Sequence, residues 1–190
     1  MKKLLITSII ILISITSAFY FYYSENKFRK SEEEYIYILA GDSLRYLALE
    51  LHEMGQTLLT NRSYDSRYFS YKFKYSAREA GKISGYMRHL NYIENSRRFT
   101  YDEIKTWENF QAILLSLSNS LNSSGMSEQE SRKVGKELVV ISDILGYKKF
   151  RPESNWERIS TKFGREILLE LNHTELNEHL NHIYSINRKR

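Results

Sequence analysis

One proline, Pro152, stands in a chain of 190 residues. Proline ends helices more reliably than any other residue, because it lacks the backbone N–H and its ring clashes with the carbonyl four residues back. With one proline and eight glycines, little in this chain can interrupt a helix. An all-β fold would need turn residues about every 8–12 positions. The sequence therefore predicts an all-α protein built from long helices. Hydrophobic residues at 42% and charged residues at 27% are globular values and exclude a disordered chain. Cysteine is absent, which excludes structural disulfides, thiolate metal sites and a thiol nucleophile.

The segment Leu4–Tyr23, "LLITSIIILISITSAFYFYY", carries no charge over twenty residues. As a helix it would extend about 30 Å, the thickness of a bilayer core. Its only polar groups besides the tyrosines are Thr7, Ser8, Ser14, Thr16 and Ser17, too few for the polar face of a globular helix. Lys2 and Lys3 before it, and Thr16-Ser17-Ala18 within it, also fit a signal peptide cleaved after Ala18. Cleavage there would leave "FYFYY" at the mature terminus, whereas a retained anchor would use those rings as an interfacial aromatic belt. The expected layout is a tail at 1–3, a transmembrane anchor at 4–23 and one extracytoplasmic domain at 24–190. Basic residues flank both ends of the run, Lys2 and Lys3 on one side and Lys27, Arg29 and Lys30 on the other. The balance favours the three-residue tail staying inside.

Past the anchor, apolar residues recur at helical steps of three and four. Ile36, Leu39, Leu44, Leu47, Leu51, Met54 and Leu58 mark a helix over 32–60. Phe69, Phe73, Ala77, Ala80, Ile83, Met87 and Leu90 mark a second over 66–94. Three capping boxes, Thr100 with Glu103, Ser127 with Glu130 and Ser154 with Glu157, open three more. The last of these carries Trp156, Ile159, Phe163, Ile167 and Leu171, and a break at "NHT" (172–174) precedes a tail with Leu176, Leu180 and Ile183. Five or six helices joined by short polar turns predict an antiparallel up-and-down bundle.

Two segments offer candidate chemistry. In "NHTELNEHLNH", Glu175, His179 and His182 share one helix face at i, i+4 and i+7 and could ligate zinc or iron. The paired Glu-x-x-His motifs of di-iron bundles are missing, and an exposed polar face accounts for the same residues. In "YDSRYFSYKFKY" (64–75), Arg67, Tyr68, Tyr71, Lys72, Lys74 and Tyr75 could stack on sugar rings while attracting an anionic wall polymer. Phe69 and Phe73 of the same stretch fit a helix core instead.

The net charge of +5 falls to +3 without Lys2 and Lys3, and Arg78, Lys82, Arg88, Arg97 and Arg98 are interleaved with acidic residues. That pattern describes a solvated surface and gives no reason to expect nucleic acid. Asn61, Asn122 and Asn172 begin glycosylation sequons, which act only in a glycosylating compartment. No phosphate-binding glycine loop, dinucleotide fingerprint or nucleophile elbow is present, and no cofactor is implied. The sequence thus points to a non-enzymatic scaffold or accessory subunit of the cell envelope. Its expected partners are the bilayer through residues 4–23, and another envelope protein or its own copies. The alternatives are a sensor-like binder of a ligand or wall polymer, or a metal-binding bundle.

Overall fold

Where nothing breaks a helix, the chain makes a very long one. In the computed structural model the first helix, α1 (Lys2–Thr60), runs 59 residues without interruption, about 88 Å at 1.5 Å per residue. It is followed by α2 (Ser66–Ile93), α3 (Tyr101–Ser123), α4 (Glu128–Ile144), a 3₁₀ turn (Tyr147–Phe150), α5 (164–170) and α6 (His173–Arg188). The structure describes the backbone of residues 2–60, 65–93, 97–123, 125–150 and 164–188, with side chains from residue 11 onward except 149 and 150. No strand occurs among these residues, so the 64–75 stretch, whose alternating aromatics also suit a strand, is helical from Ser66.

Helix starts follow the predicted chemistry. Thr100 accepts from the Glu103 backbone N–H at 3.3 Å, and the Glu103 carboxylate accepts from the Thr100 N–H at 2.6 Å. Ser127 and Glu130 make the same reciprocal pair at the head of α4. Asp65 caps α2, its carboxylate accepting from the backbone N–H of Arg67 and Tyr68. Each such pairing satisfies donors that a helix start leaves without intrahelical partners. At the far end of α4, Gly146 adopts φ +88°, a left-handed conformation that only glycine enters freely. The box at Ser154 and Glu157, with Trp156, Ile159 and Phe163, lies outside the described residues.

Packing joins the helices in a ring: α1 against α2, α2 against α3, α3 against α6, α6 against α4, and α4 against α1. The predicted stripe of α2 is wholly buried, and on α1 Leu39 is only half-buried while Tyr37, Ala40 and Ala48 turn inward with the rest. Trp107, Phe73 and Phe110 are the largest fully buried rings together with Tyr37. α3 and α4, although joined by a turn of only a few residues, do not pack on each other. The short joint had suggested neighbours; α6 occupies the space between them instead.

The α1–α4 crossing is close because both helices present glycine. A Cβ on Gly55 would sit 2.8 Å from the Gly135 carbonyl oxygen, and one on Gly135 would sit 2.8 Å from that of Gly55. α2 and α3 also approach closely, and Ser70 and Ser118 each donate a hydroxyl to the other's carbonyl, at 3.0 and 2.8 Å.

α1 divides sharply along its length. From Ile36 onward it has a buried face, whereas Ile11, Leu12, Ile13, Ile15, Phe19, Tyr20, Phe21, Tyr22, Tyr23 and Phe28 are all exposed. Among the described residues no helix is long and apolar enough to cross a membrane. Of the expected anchor, 4–23, the side chains of 4–10 lie outside the described residues. The remainder, 11–23, would extend only about 20 Å, short of a bilayer core.

Alanine tests the crossing. Gly55→Ala should lower stability by about 1–3 kcal/mol, since backbone must move to admit the methyl. Gly85→Ala, where a Cβ meets nothing within 4 Å, should raise it by about 0.5–1 kcal/mol through helix propensity. Urea denaturation of both variants would measure the difference, and equal effects would mean the close contact does not constrain the fold.

Candidate functional site

The six residues proposed for ligand binding all lie on α2, and helical geometry sorts them onto two faces. Lys72 and Tyr75 turn toward α1, with Tyr68 beside them on the same helix face. Lys72 donates to Glu50 at 2.5 Å, sits 3.5 Å from a Glu53 oxygen and lies over the Tyr68 ring at 5.3 Å. Both Lys72 and Glu50 are only 16% exposed. Burial opposes the Lys72 charge, but its hydrogen bonds to Glu50 and Tyr68 and the charges of Glu50 and Glu53 together outweigh it and hold the ammonium above its ordinary range. Tyr75 tilts against Tyr46 with ring centres 4.8 Å apart. Burial, assisted by the Glu50 charge, pushes the Tyr46 phenol above its usual value.

This polar seam continues toward Glu79, which is 4% exposed. Its carboxylate accepts from Ser43 at 2.8 Å and from Lys82 at 2.7 Å. The seam thus pairs α1 with α2 through Lys72 with Glu50, Tyr75 with Tyr46 and Glu79 with Ser43, while Tyr68 lies at its exposed edge. Arg67, Tyr71 and Lys74 face outward and are exposed, with Arg78 following at the same spacing. Lys74, Arg78 and Lys82 edge a shallow cleft completed by Gln111 and Leu115 of α3. The structure thus does not unite the six as one surface.

The second candidate is regrouped. Glu175 lies in the first turn of α6, where its backbone N–H donates to the Asn172 side chain at 3.1 Å and its carboxylate accepts from the same amide at 3.2 Å. It is a capping residue. His179 and His182 instead converge on Glu137 of α4. His179 Nδ1 lies 2.6 Å from one Glu137 oxygen and His182 Nδ1 lies 3.6 Å from the other. The two imidazoles stand edge to face, 5.9 Å between centres. One ligating atom from each of the three residues lies within 4.8 Å of the others. Glu137 carries no local signal, because it comes 42 residues before His179 and meets it only through the α4–α6 packing.

Two further clefts were not foreseen. Between α3 and α6, Thr100, Glu103, Asn109, His173, Asn177 and Asn181 line a groove. His173 is 10% exposed, stands 3.6 Å from Glu103 and leaves its Nε2 buried without a partner. Burial lowers its pKa from the ordinary value against the opposing pull of Glu103. Beside α4, His52 stacks on Tyr147 with centres 3.6 Å apart and rings 8° from parallel.

No protein-family model, curated protein or solved structure matches the chain. Its chemistry is read from these residues alone.

Truncating Lys72 strands Glu50 in the seam, so Lys72→Ala should cost about 2 kcal/mol, less than the full penalty of a deeply buried pair. Tyr71→Ala, at a position 67% exposed, should stay within about 0.5 kcal/mol of the parent. Chemical denaturation distinguishes them, and similar losses would place Lys72 outside the structural seam. His173 gives a pH signature. Its folded pKa is depressed, so the unfolded state binds the proton more readily. The contribution is complete above about pH 6.5, the ordinary histidine value, and is lost as pH falls through the folded pKa. Melting temperatures between pH 7.5 and 5 should fall less steeply for His173→Gln than for the parent; parallel curves would remove His173 as the cause.

Proposed function

We propose that the chain is a membrane-anchored, non-enzymatic helical-bundle protein, a scaffold or accessory subunit of the cell envelope. In this reading residues 4–23 lie in the bilayer and the 24–190 domain stands outside the cytoplasm, its helices running up and down from the membrane. One observation carries the proposal. α1 continues unbroken out of the bundle, and over residues 11–23 it exposes apolar side chains around its circumference.

Successive residues on a helix are 100° apart, so Ile11, Leu12, Ile13, Ile15, Phe19 and Phe21 are spread around the whole circumference. An amphipathic helix that met one protein neighbour would keep a polar face. A helix apolar on all sides suits hydrocarbon. Thr16 supports the same environment, donating its hydroxyl to the Leu12 carbonyl at 2.8 Å. A hydroxyl satisfied within its own helix can enter lipid without an orphaned donor. The exposed rings Phe19 to Tyr23 would then sit at the interface. Residues 4–10, "LLITSII", extend the apolar run to the length a bilayer needs.

Continuity of the helix has a mechanical consequence. With no flexible linker, the orientation of the bundle follows that of the anchor, which suits a part that presents surfaces to a fixed partner or to its own copies.

The intact mass of the native protein in carbonate-washed membranes tests the proposal. A full-length mass in the pellet, lost to the supernatant when residues 1–23 are deleted, is the expected result. A soluble product beginning at Phe19 would replace the anchor with a cleaved leader and overturn the membrane reading.

A further inference from the structure

We infer that Glu137, His179 and His182 form a binding site for a divalent transition metal, zinc foremost, that clamps α6 to α4. The site is independent of the membrane reading, because it uses only residues of the bundle.

The donor set is one carboxylate and two imidazoles, a combination that suits zinc and its neighbours. Calcium and magnesium favour all-oxygen shells. The geometry fits a small tetrahedral ion. Ligands about 2.0–2.1 Å from zinc are separated from one another by roughly 3.4 Å. One Glu137 oxygen stands 2.6 Å from His179 Nδ1 and the other 3.6 Å from His182 Nδ1, and one ligating atom from each of the three residues lies within 4.8 Å of the others. The ligands therefore need to draw together by up to about 1.4 Å to close on an ion.

A simple ion pair explains His179 but not His182. His182 is 64% exposed and has solvent on which to spend its polar atoms, yet it turns Nδ1 toward the same carboxylate from beyond hydrogen-bonding distance. Its place one turn after His179 lets both rings address one point. The carboxylate comes from a different helix, so a bound ion would join α4 to α6. Exposure at His182 leaves the fourth coordination position open to water, as in three-ligand zinc sites.

Zinc titration of the full chain in detergent, read by calorimetry, tests the assignment, with cobalt as a spectroscopic substitute. The expected result is saturable one-to-one binding and the visible absorption of tetrahedral cobalt. His182→Ala and Glu137→Gln should each weaken zinc binding by more than about a hundredfold, beyond the roughly 10–100-fold loss typical of an outer-shell partner. His89→Ala, altering a histidine paired with Glu32, should leave binding unchanged. Because His182 is exposed, unaltered helical circular dichroism in His182→Ala would show that lost binding is not lost folding. Zinc at a hundredfold excess over its Kd should raise the melting temperature by at least about 5 °C in the parent and not in His182→Ala. No saturable binding, binding indifferent to His182 and Glu137, or equal competition by magnesium would each overturn the inference.

Discussion

The backbone of α1 meets that of α4 at Gly55 and Gly135, with no room for a side chain at either position. Helices that touch this closely gain dispersion contacts along the crossing, and the approach fixes where α4 lies. It draws α4 to the α1 side of the bundle and away from α3, the helix that precedes it in the chain. A gap is thereby opened between α3 and α4, lined by apolar residues that need cover. α6 supplies it, burying Leu176, Leu180 and Ile183. A second close approach reinforces α1 as the common support, since a Cβ on Gly164 of α5 would collide with the Tyr37 carbonyl and the Gly41 backbone.

Placement of α6 has a chemical result. The helix that fills the gap carries His179 and His182 on the flank that meets α4, and the Glu137 carboxylate waits there. The opposite flank faces α3 and puts the buried His173 beside Glu103. Both histidine environments thus follow from one wedge. They differ in access: the Glu137 cluster reaches solvent through His182, whereas His173 is held where burial discourages its charge.

α1 combines two kinds of surface in one continuous element. Its second half is amphipathic and shares a seam of paired charges with α2; residues 11–23 of its first half expose apolar side chains around the helix. Lys72, held by Glu50, and Glu79, held by Ser43 and Lys82, fix the register of α1 on α2, because breaking one partner would leave the other desolvated.

Much of the secondary structure was legible in the residues themselves. The scarcity of proline, the three- and four-residue apolar steps of α1 and α2, and the boxes at Thr100 and Ser127 are local signals. Each acts within a turn or two of helix, so the sequence by itself determined an all-α chain, most helix boundaries and which faces turn inward. It also determined the uninterrupted apolar run at the N-terminus. The tertiary structure decided which helices meet. Short joints suggested that α3 and α4 would be neighbours, but glycine-to-glycine contact is a property of two surfaces together and has no signature in either helix alone. The same reason explains the sites. Glu175 and His179 share a face by spacing, yet the helix start claimed Glu175 as a cap. The carboxylate that joins the histidines, Glu137, belongs to a different helix, and only packing could bring it there. Likewise residues 67–75 offer one run of rings and cations in sequence, of which packing draws Lys72 into the seam while Tyr68, Tyr71 and Tyr75 stay exposed.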